Sequence, residues 1–551
     1  QAVMNNDNNI NKGVAAGSIK LHSGTDVGVV SQGVILSNAG KTGDGMFVQT
    51  SAAKPGSVQL SGTSSSITLN GNGKIGAIDA AADGNGSVMI GSQAKNVASN
   101  VEVVGAIGGT QPVGKLVVDG KAALTINAKA GQGSIKAQNL TLADGSKLVA
   151  VGQDITVSTA AKLDGDVTAK SMTLNGTGVH TVAGDALVDL EKLSVAGTLA
   201  VGNDDPTISG SATLIADQMN VTGTLFVDPD WKQPHATVIV NNFEGSTGET
   251  HAGTLKGSAI VGKNAVLAVG FDKSETAKVD SLIGQYLNAK GAFSSGTGAD
   301  DVGNALILNK SITVAADKAI IVDKTASINL TDGTTNPTID TTKQNSVTLA
   351  ANSALVLTDK AFEKDSNGAK VGPAITLSGS NQKFNGGGKI ILSGNFTAAD
   401  NALKIVSGSN LTVSGTTAVT TLNGLLAGQL TASGGTVDLN ITDKVKDSFL
   451  DVATPVRNLL VDSLEGKYAT NTGAGVDFVL ASATNTVTGY DVDAAAHAAT
   501  YAGAQQAAVA AVTTMADAMF GRVGAVGVEA ASISATGSQA NGGVWLTPMY
   551  K

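Results

Sequence analysis

The chain has 551 residues and a formal net charge of −9; 15% of its residues are charged and 3% are aromatic, whereas 69 are Gly and none is Cys. Ordinary globular enzymes carry about 25% charged residues, so the composition argues against a series of conventional catalytic domains, and the lack of Cys excludes disulfide scaffolds and thiolate metal sites. With 42% hydrophobic residues, the chain is also unlike a disordered protein, and we expect a Gly-rich β protein with many tight turns.

The charge pattern limits the partners as well. Arg occurs only as Arg457 and Arg522, and acidic residues outnumber basic ones. Because nucleic-acid-binding faces cluster Arg and Lys, we expect no nucleic-acid partner. The sequence contains no apolar run of about 18 residues, so it predicts no transmembrane helix.

A strand–turn–strand phrase recurs along the chain. Its two clearest copies are SITVAADKAIIV at 311–322 and SVTLAANSALVL at 346–357. Looser copies lie at 140–151, 193–201, 219–227 and 411–422. Each copy alternates apolar and polar residues, breaks at small or turn-forming residues and alternates again, which predicts two short, half-buried strands joined by a tight bend.

The spacing of these phrases favours stacked coils. Leu140, Met172, Leu193 and Met219 recur at intervals of 32, 21 and 26 residues, which is typical of a parallel β-solenoid with about 20–25 residues per coil. We therefore expect one all-β, elongated parallel β-solenoid from about residue 20 to 440, with half of the side chains facing out. A string of β-sandwiches is the alternative, but it would need about one buried Trp per domain, and only two Trp occur.

Three segments depart from the strand pattern. The pattern at 274–290 predicts a helix that Ser274 caps and Gly291 ends. Its expected buried face consists of Val279, Leu282, Ile283, Tyr286 and Leu287. Residues 443–465 are predicted to be partly helical with an interruption at Pro455, and the Ala-rich stretch 493–522 predicts a thin C-terminal α-helix.

Residues with catalytic or metal-binding chemistry are scattered. The five histidines are isolated, and we expect each to be a solvated turn residue. They are His22, His180, His235, His251 and His497. Residues 71–76 match GxGxxG after a predicted strand, but no helical pattern follows, which argues against a dinucleotide site.

Two carboxylate pairs leave Ca²⁺ binding and ordinary turns both open, namely Asp204-Asp205 and Asp300-Asp301. Residues 83–86 (DGNG) lack the nonapeptide repetition of Ca²⁺-binding solenoids. The sequence therefore assigns no catalytic, cofactor-binding or metal-binding residue, and predicts no cofactor.

The C-terminal end carries the most specific signal. Gly-rich β repeats are followed by an Ala-rich helix, a short loop and Gly-Val-Trp-x-x-Pro-x-Tyr at 543–550. This order resembles a type Va bacterial autotransporter at the junction of its passenger with its translocator barrel. The resemblance implies a right-handed β-helical passenger at 1–442 and a C-terminal passenger cap region at 443–492. It implies a pore or linker helix at 493–522, and a loop and the first strand of a barrel, otherwise absent from this chain, at 523–551.

The resemblance also implies a function and a location. We expect a non-catalytic passenger on the bacterial cell surface or outer membrane, or secreted after release. It would mediate adhesion, self-association or biofilm formation through repeated polar contacts with itself, host-cell or matrix surfaces, or glycans. The alternatives are a β-helix polysaccharide lyase or glycosidase, and a structural surface-layer or fibre protein. Sparse aromatic residues argue against an aromatic sugar-binding platform.

Overall fold

The computed structural model describes one large β unit and a small part of a second unit. The described residues are 9–10, 27–31, 33–37, 55–91, 98–202, 210–227, 236–284, 303–326, 343–394, 396, 400, 402–415, 417–421, 426–443, 508–513 and 515. The chain divides into a first unit (Gln1–Thr420 with Gly428–Thr442) and a second unit (Thr421–Ala427 with Asp443–Lys551).

Short strands dominate the described part of the chain. The first eighteen are β1 (Asn9–Ile10), β2 (Val27–Val30), β3 (Gly33–Ser37), β4 (Ser57–Leu60), β5 (Ser66–Asn70), β6 (Gly73–Ile75), β7 (Ile78–Ala80), β8 (Asn85–Ile90), β9 (Ser99–Val103), β10 (Val113–Val118), β11 (Ala122–Ile126), β12 (Ile135–Leu142), β13 (Lys147–Leu163), β14 (Asp166–Leu174), β15 (Val179–Val182), β16 (Leu187–Val195), β17 (Thr198–Val201) and β18 (Thr213–Val221).

The next eighteen are β19 (Thr224–Val227), β20 (Ala236–Phe243), β21 (His251–Leu255), β22 (Ser258–Val261), β23 (Ala265–Val269), β24 (Asn304–Leu308), β25 (Ser311–Val314), β26 (Ala319–Val322), β27 (Ser346–Leu349), β28 (Ser353–Thr358), β29 (Ile375–Leu377), β30 (Lys383–Asn385), β31 (Lys389–Ser393), β32 (Leu403–Ser407), β33 (Thr412–Ser414), β34 (Ala418–Thr421), β35 (Leu426–Ser433) and β36 (Thr436–Asp443).

These strands pair in parallel along three main ladders. Ladder 1 comprises β3, β5, β8, β10, the second half of β12, the end of β13, β15, β17, β19, β22, β26, β27, β30 and β33. Ladder 2 comprises β6, β9, β11, the first parts of β13, β14, β16, β18 and β20, then β23, β24, β28 and β31. Ladder 3 comprises the first part of β12, the middle of β13 and the last parts of β14, β16, β18 and β20.

Smaller sets extend these ladders. Strands β21, β25, β29 and β32 form a further parallel series, and β2, β4 and β7 form a separate parallel sheet. Antiparallel pairing occurs where β1 meets β3 and β32 meets β36. Because 33 described strands belong to one sheet whose pairs are nearly all parallel, the arrangement differs from the antiparallel sheets of a β-sandwich.

The apolar core consists of columns of stacked aliphatic side chains. One such column in ladder 1 is Leu69, Ile90, Val118, Leu142, Leu163, Val182, Val201, Val227, Val261, Val322 and Leu349. Each member is at most 1% exposed, and strands of different ladders contact one another. Burial of a Val or Leu side chain contributes about 1.5–3 kcal/mol, so these columns are the main stabilising element of the unit.

The recurring phrase is confirmed as a strand pair. The copies at 311–322 and 346–357 form β25 with β26 and β27 with β28. Asp317 and Asn352 lie in the bends at φ +62° and +60°, a conformation that Asn and Asp tolerate. The four looser copies likewise form strand pairs, so the short alternation was a sufficient signal.

The predicted spacing is right in part. Met172, Leu193 and Met219 are stacked neighbours in ladder 3, but Leu140 stacks on Ala161 in ladder 1, so the first interval is wrong. The repeat is also less regular than 20–25 residues. Val182 follows Leu163 by 19 residues and Val322 follows Val261 by 61, because other strands and insertions lie between the later members of the column.

The outward faces differ along the chain, contrary to the expectation that half of all side chains are exposed. In ladder 1, the outward positions of Ala200, Phe226, Ile260 and Ile321 are stacked and at most 8% exposed. In ladder 2, a second buried outward column is Ile215, Ile239, Ala268, Ile307, Val356 and Ile391. Strands β23, β24 and β28 are therefore buried on both faces, as in parallel sheets covered on both sides.

The first helix begins at another residue than predicted. A 3₁₀ turn at Lys273–Glu275 leads into α1 (Thr276–Ile283), and Gly284 is the C-cap. Asp272, not Ser274, is the N-terminal cap, because its carboxylate accepts from the Ser274 N–H at 2.7 Å and the Glu275 carboxylate accepts from the Asp272 N–H at 3.2 Å. The predicted buried face is confirmed for Val279, Leu282 and Ile283; Tyr286, Leu287 and Gly291 lie outside the described residues.

In the second unit, residues 508–513 and 515 are helical, in agreement with the predicted Ala-rich helix at these positions. Val509, Val512 and Met515 are 62–67% exposed. The remaining parts of the predicted segments 443–492, 493–522 and 523–551 lie outside the described residues, except Asp443 at the end of β36. In the described part of the chain, no helix is both long and apolar enough to cross a bilayer.

Candidate interaction surface

Two adjacent rows of polar side chains cover the outward face of ladder 3. Row A is Asp154, Ser171, Lys192, Gln218 and Asn242. Row B is Lys136, Thr156, Thr173, Ser194 and Asn220. The rows arise because every second residue of each strand faces out, while the alternate residues, such as Met172 and Leu193, are about 1% exposed.

Parallel strand pairing sets the spacing of the rows. Neighbours within a row are about 4.8 Å apart, and the two rows are two residues, or about 6.6 Å, apart along the strands. All ten side chains are partly or fully exposed. The face is thus a grid of hydroxyl and amide groups that both donate and accept hydrogen bonds, with Lys136, Asp154 and Lys192 as its ionic groups.

Hydrogen bonds order part of this grid. The Ser171 hydroxyl donates to the Asp154 carboxylate at 2.6 Å. Beyond Asn242, the Lys310 ammonium donates to the side-chain oxygens of Asn241 and Asn242 at 2.8 and 2.9 Å. Burial lowers the pKa of Lys310, although Glu275 and Asp272 nearby oppose this shift.

Polar columns continue outside ladder 3. Thr254, Thr313, Thr376 and Ser407 stack along β21, β25, β29 and β32. In ladder 1, the Asn385 amide donates to the Thr348 hydroxyl at 3.1 Å and accepts from the Ser414 hydroxyl at 2.8 Å. Stacked rows of Thr, Ser and Asn therefore occur where the outward faces are polar.

A carboxylate cluster lies beside the grid, where ladder 2 meets α1. The Lys273 ammonium pairs with the Asp189 carboxylate at 2.6 Å. Burial raises the pKa of Asp217; the nearby Lys273 lowers it, and the carboxylates of Asp189, Asp272 and Glu191 raise it further. The cluster thus combines an ion-paired carboxylate, Asp189, with a carboxyl group whose pKa is raised, Asp217.

The expectation that each histidine is a solvated turn residue is wrong for His180. It lies in β15, is 0% exposed and stacks on Leu199 in the core of ladder 1. Its Nδ1 accepts from the Ala161 N–H at 3.1 Å, so the proton is on Nε2, which donates to the Gly176 carbonyl at 3.1 Å. Burial lowers the pKa of His180, and the bond to Gly176 partly opposes this. The signal was the alternation in VHTV, which puts His180 in phase with Val182.

His251 also differs from the prediction, since it begins β21 and its Nδ1 lies 3.2 Å from the Ser311 hydroxyl. His22, His235 and His497 lie outside the described residues, as do the acidic pairs at 204–205 and 300–301. The GxGxxG match continues into strand β6. Within the described ranges, no group of three or more His, Cys, Asp or Glu is placed to hold a metal ion.

No family model, curated protein or solved structure matches this chain. The polar grid is consequently the main basis for inferring what the chain does. Its individual residues were not singled out from the sequence, because Thr and Ser at alternating strand positions are common. The signal that identifies them is the combination of that alternation with the registers of four successive strands in ladder 3.

Proposed function

We propose that the first unit is a right-handed parallel β-solenoid, and that the chain is the surface-displayed passenger of a type Va autotransporter. Its parallel pairing over many strands supports the solenoid. The resemblance of the last sixty residues to an autotransporter junction supports the passenger assignment and its place on the bacterial surface. The exposed helical positions Val509, Val512 and Met515 agree with a helix that requires an apolar or confined environment.

The proposed activity is adhesion or self-association without catalysis. The observation that carries it is the two-row grid on ladder 3, which places a polar side chain at about every 4.8 Å along each row. One hydrogen bond contributes about 0.5–1.5 kcal/mol net, but many in parallel provide avidity without a dominant contact. We therefore expect that no single substitution abolishes adhesion.

Ionic strength tests this proposal. The net charge of −9 repels two copies at low salt, and at 0.15 M charges more than about 8 Å apart are largely screened. Cells that display the chain should thus aggregate, or bind matrix proteins or glycans, more at 0.15 M salt than at low ionic strength. Cells that stay dispersed at every salt concentration and bind none of these surfaces would refute the proposal.

A glycosidase is the second candidate because of Asp189 and Asp217. Glycoside cleavage uses one ionised and one protonated carboxyl group; Asp189 is ion-paired with Lys273, and burial raises the pKa of Asp217. Release of reducing sugars from a panel of acidic and neutral polysaccharides measures this activity. Cleavage that is lost in Asp217→Asn would favour the enzyme over the adhesin.

A further inference from the structure

When row A is read in the opposite direction, its negative and positive residues exchange places, so the row is complementary in charge to a reversed copy of itself. Asp154, Ser171 and Lys192 occupy three consecutive strands of ladder 3, in that order. Asp154 and Lys192 therefore lie on either side of Ser171, each about 4.8 Å from it. Lys192 is exposed, and Asp154 and Ser171 are partly exposed.

We infer that the grid binds a second copy of this chain in antiparallel orientation, with a twofold axis at Ser171. In this register, Asp154 of each copy faces Lys192 of the other, and the two Ser171 hydroxyls face each other. A twofold interface uses one patch twice, so one pair of opposite charges yields two intermolecular ion pairs. The inference rests on the proposed function, whose partner it specifies.

Row B fits the same register. Thr173 lies beside Ser171 on β14 and faces its own copy, Thr156 faces Ser194, and Lys136 faces Asn220. Hydroxyl groups both donate and accept hydrogen bonds, so the Thr173–Thr173 and Thr156–Ser194 pairs are compatible.

Other orientations are less favourable. A parallel arrangement places Asp154 on Asp154 and Lys192 on Lys192, and like charges at an interface are repulsive. Moving the twofold axis by half a strand spacing places both Asp154 and Lys192 opposite neutral residues of the other copy. Lys170 precedes Ser171 on β14 and Glu191 precedes Lys192 on β16, so charges of both signs lie beside this part of row A.

Charge exchange tests the register. In Asp154→Lys each ion pair becomes a Lys–Lys contact, and in Lys192→Asp it becomes an Asp–Asp contact. Exposed ion pairs are individually weak, but two are reversed at once, so each variant of the purified chain should raise the dimer Kd about tenfold by analytical ultracentrifugation at 0.15 M salt. The double variant Asp154→Lys/Lys192→Asp should recover the wild-type Kd.

Mixing the two single variants provides an independent measure. A mixed pair contains only Lys–Asp contacts, so the mixture should form heterodimers with about the wild-type Kd although neither variant does so alone. Lys147→Asp, outside the grid, is the control for net charge. Circular dichroism melting shows that the variants fold, and mixing restores binding only between folded chains.

The outcomes separate the two proposals. A wild-type chain that dimerises, with no effect of either single variant or no rescue in the double variant and the mixture, overturns the antiparallel register but leaves the adhesin proposal in place. A wild-type chain that stays monomeric at every salt concentration overturns the self-association, and binding of displayed cells to matrix or glycans then decides whether the adhesin proposal stands.

Discussion

Acidification should weaken the first unit at one identifiable point, the buried ring of His180. The neutral ring accepts from the Ala161 N–H through Nδ1 and donates to the Gly176 carbonyl through Nε2. A protonated ring would carry a hydrogen on Nδ1 that points at the Ala161 N–H, and it would place a charge in a column that is otherwise aliphatic. Protonation therefore removes a hydrogen bond and buries an uncompensated charge.

The direction and size of this pH effect on the free energy of unfolding follow from the difference between the folded-state and unfolded-state pKa of His180. The pKa of His180 is lowered in the folded chain relative to about 6.5 in the unfolded chain, so the unfolded chain binds more protons. The contribution of His180 to the free energy of unfolding is complete above pH 6.5 and decreases as pH falls below it. The decrease approaches about 1.4 kcal/mol per pH unit until the pH reaches the folded-state pKa.

Hydrogen exchange of the peptides that cover 159–182 measures the loss of stability around His180. A local measurement is suitable because the global unfolding of a repeated fold need not be two-state. His180→Gln keeps an acceptor and a donor in place of the two ring nitrogens but does not titrate. Below pH 6.5, and after correction for intrinsic exchange, protection of these peptides should fall more steeply in the wild type than in His180→Gln. The half-exposed His251→Gln is the matched control and should follow the wild type. Equal pH dependence in wild type and His180→Gln would refute the reasoning.

Two stability predictions concern the core and one corner of ladder 1. Leu355 is 0% exposed, as expected if it faces inward, so Leu355→Asp should lower the free energy of unfolding by about 4 kcal/mol or more and lower the thermal midpoint. Thr376→Asp, in an outward column, should change the midpoint little. Equal midpoints of the two variants would mean that burial does not govern the difference. A Cβ at Gly223, in the bend between β18 and β19, would collide with the carbonyl oxygen of Gly197, in the bend between β16 and β17, whereas one at Gly178 has nothing within 4 Å. Gly223→Ala should therefore unfold at lower urea concentration than Gly178→Ala, and the opposite order would contradict the close stacking of this corner.

Strands and turns of the first unit were largely predictable because their signals are local. In SVTLAANSALVL, alternation defines β27 and β28, and Asn352 supplies the positive φ of the bend. The sequence does not show which strands become neighbours, since insertions of variable length separate them. Leu140 illustrates this: its spacing suggested Met172 as the partner, whereas the register places it on Ala161.

Covered outward faces were missed although the sequence contains a signal for them. The runs AVLAV at Ala265–Val269 and NALIL at Asn304–Leu308 are apolar at nearly every position, which is typical of strands buried on both faces. The residues of the polar grid, in contrast, carry no such signal within their own strands. Thr173 and Ser194 are ordinary outward residues of their own strands, and only the register that stacks them makes them part of a continuous surface.

The polar grid is the proposed contact surface, and one comparison of displayed cells tests this assignment directly. In the grid variant, Thr156, Thr173 and Ser194 are replaced together by Glu; in the control, three outward residues of ladder 2, Thr125, Val149 and Thr168, are replaced in the same way. Both variants add three negative charges. At 0.15 M salt and equal surface density, the grid variant should leave cells dispersed while the control aggregates like the wild type. Aggregation of the grid variant at the wild-type rate would contradict the account.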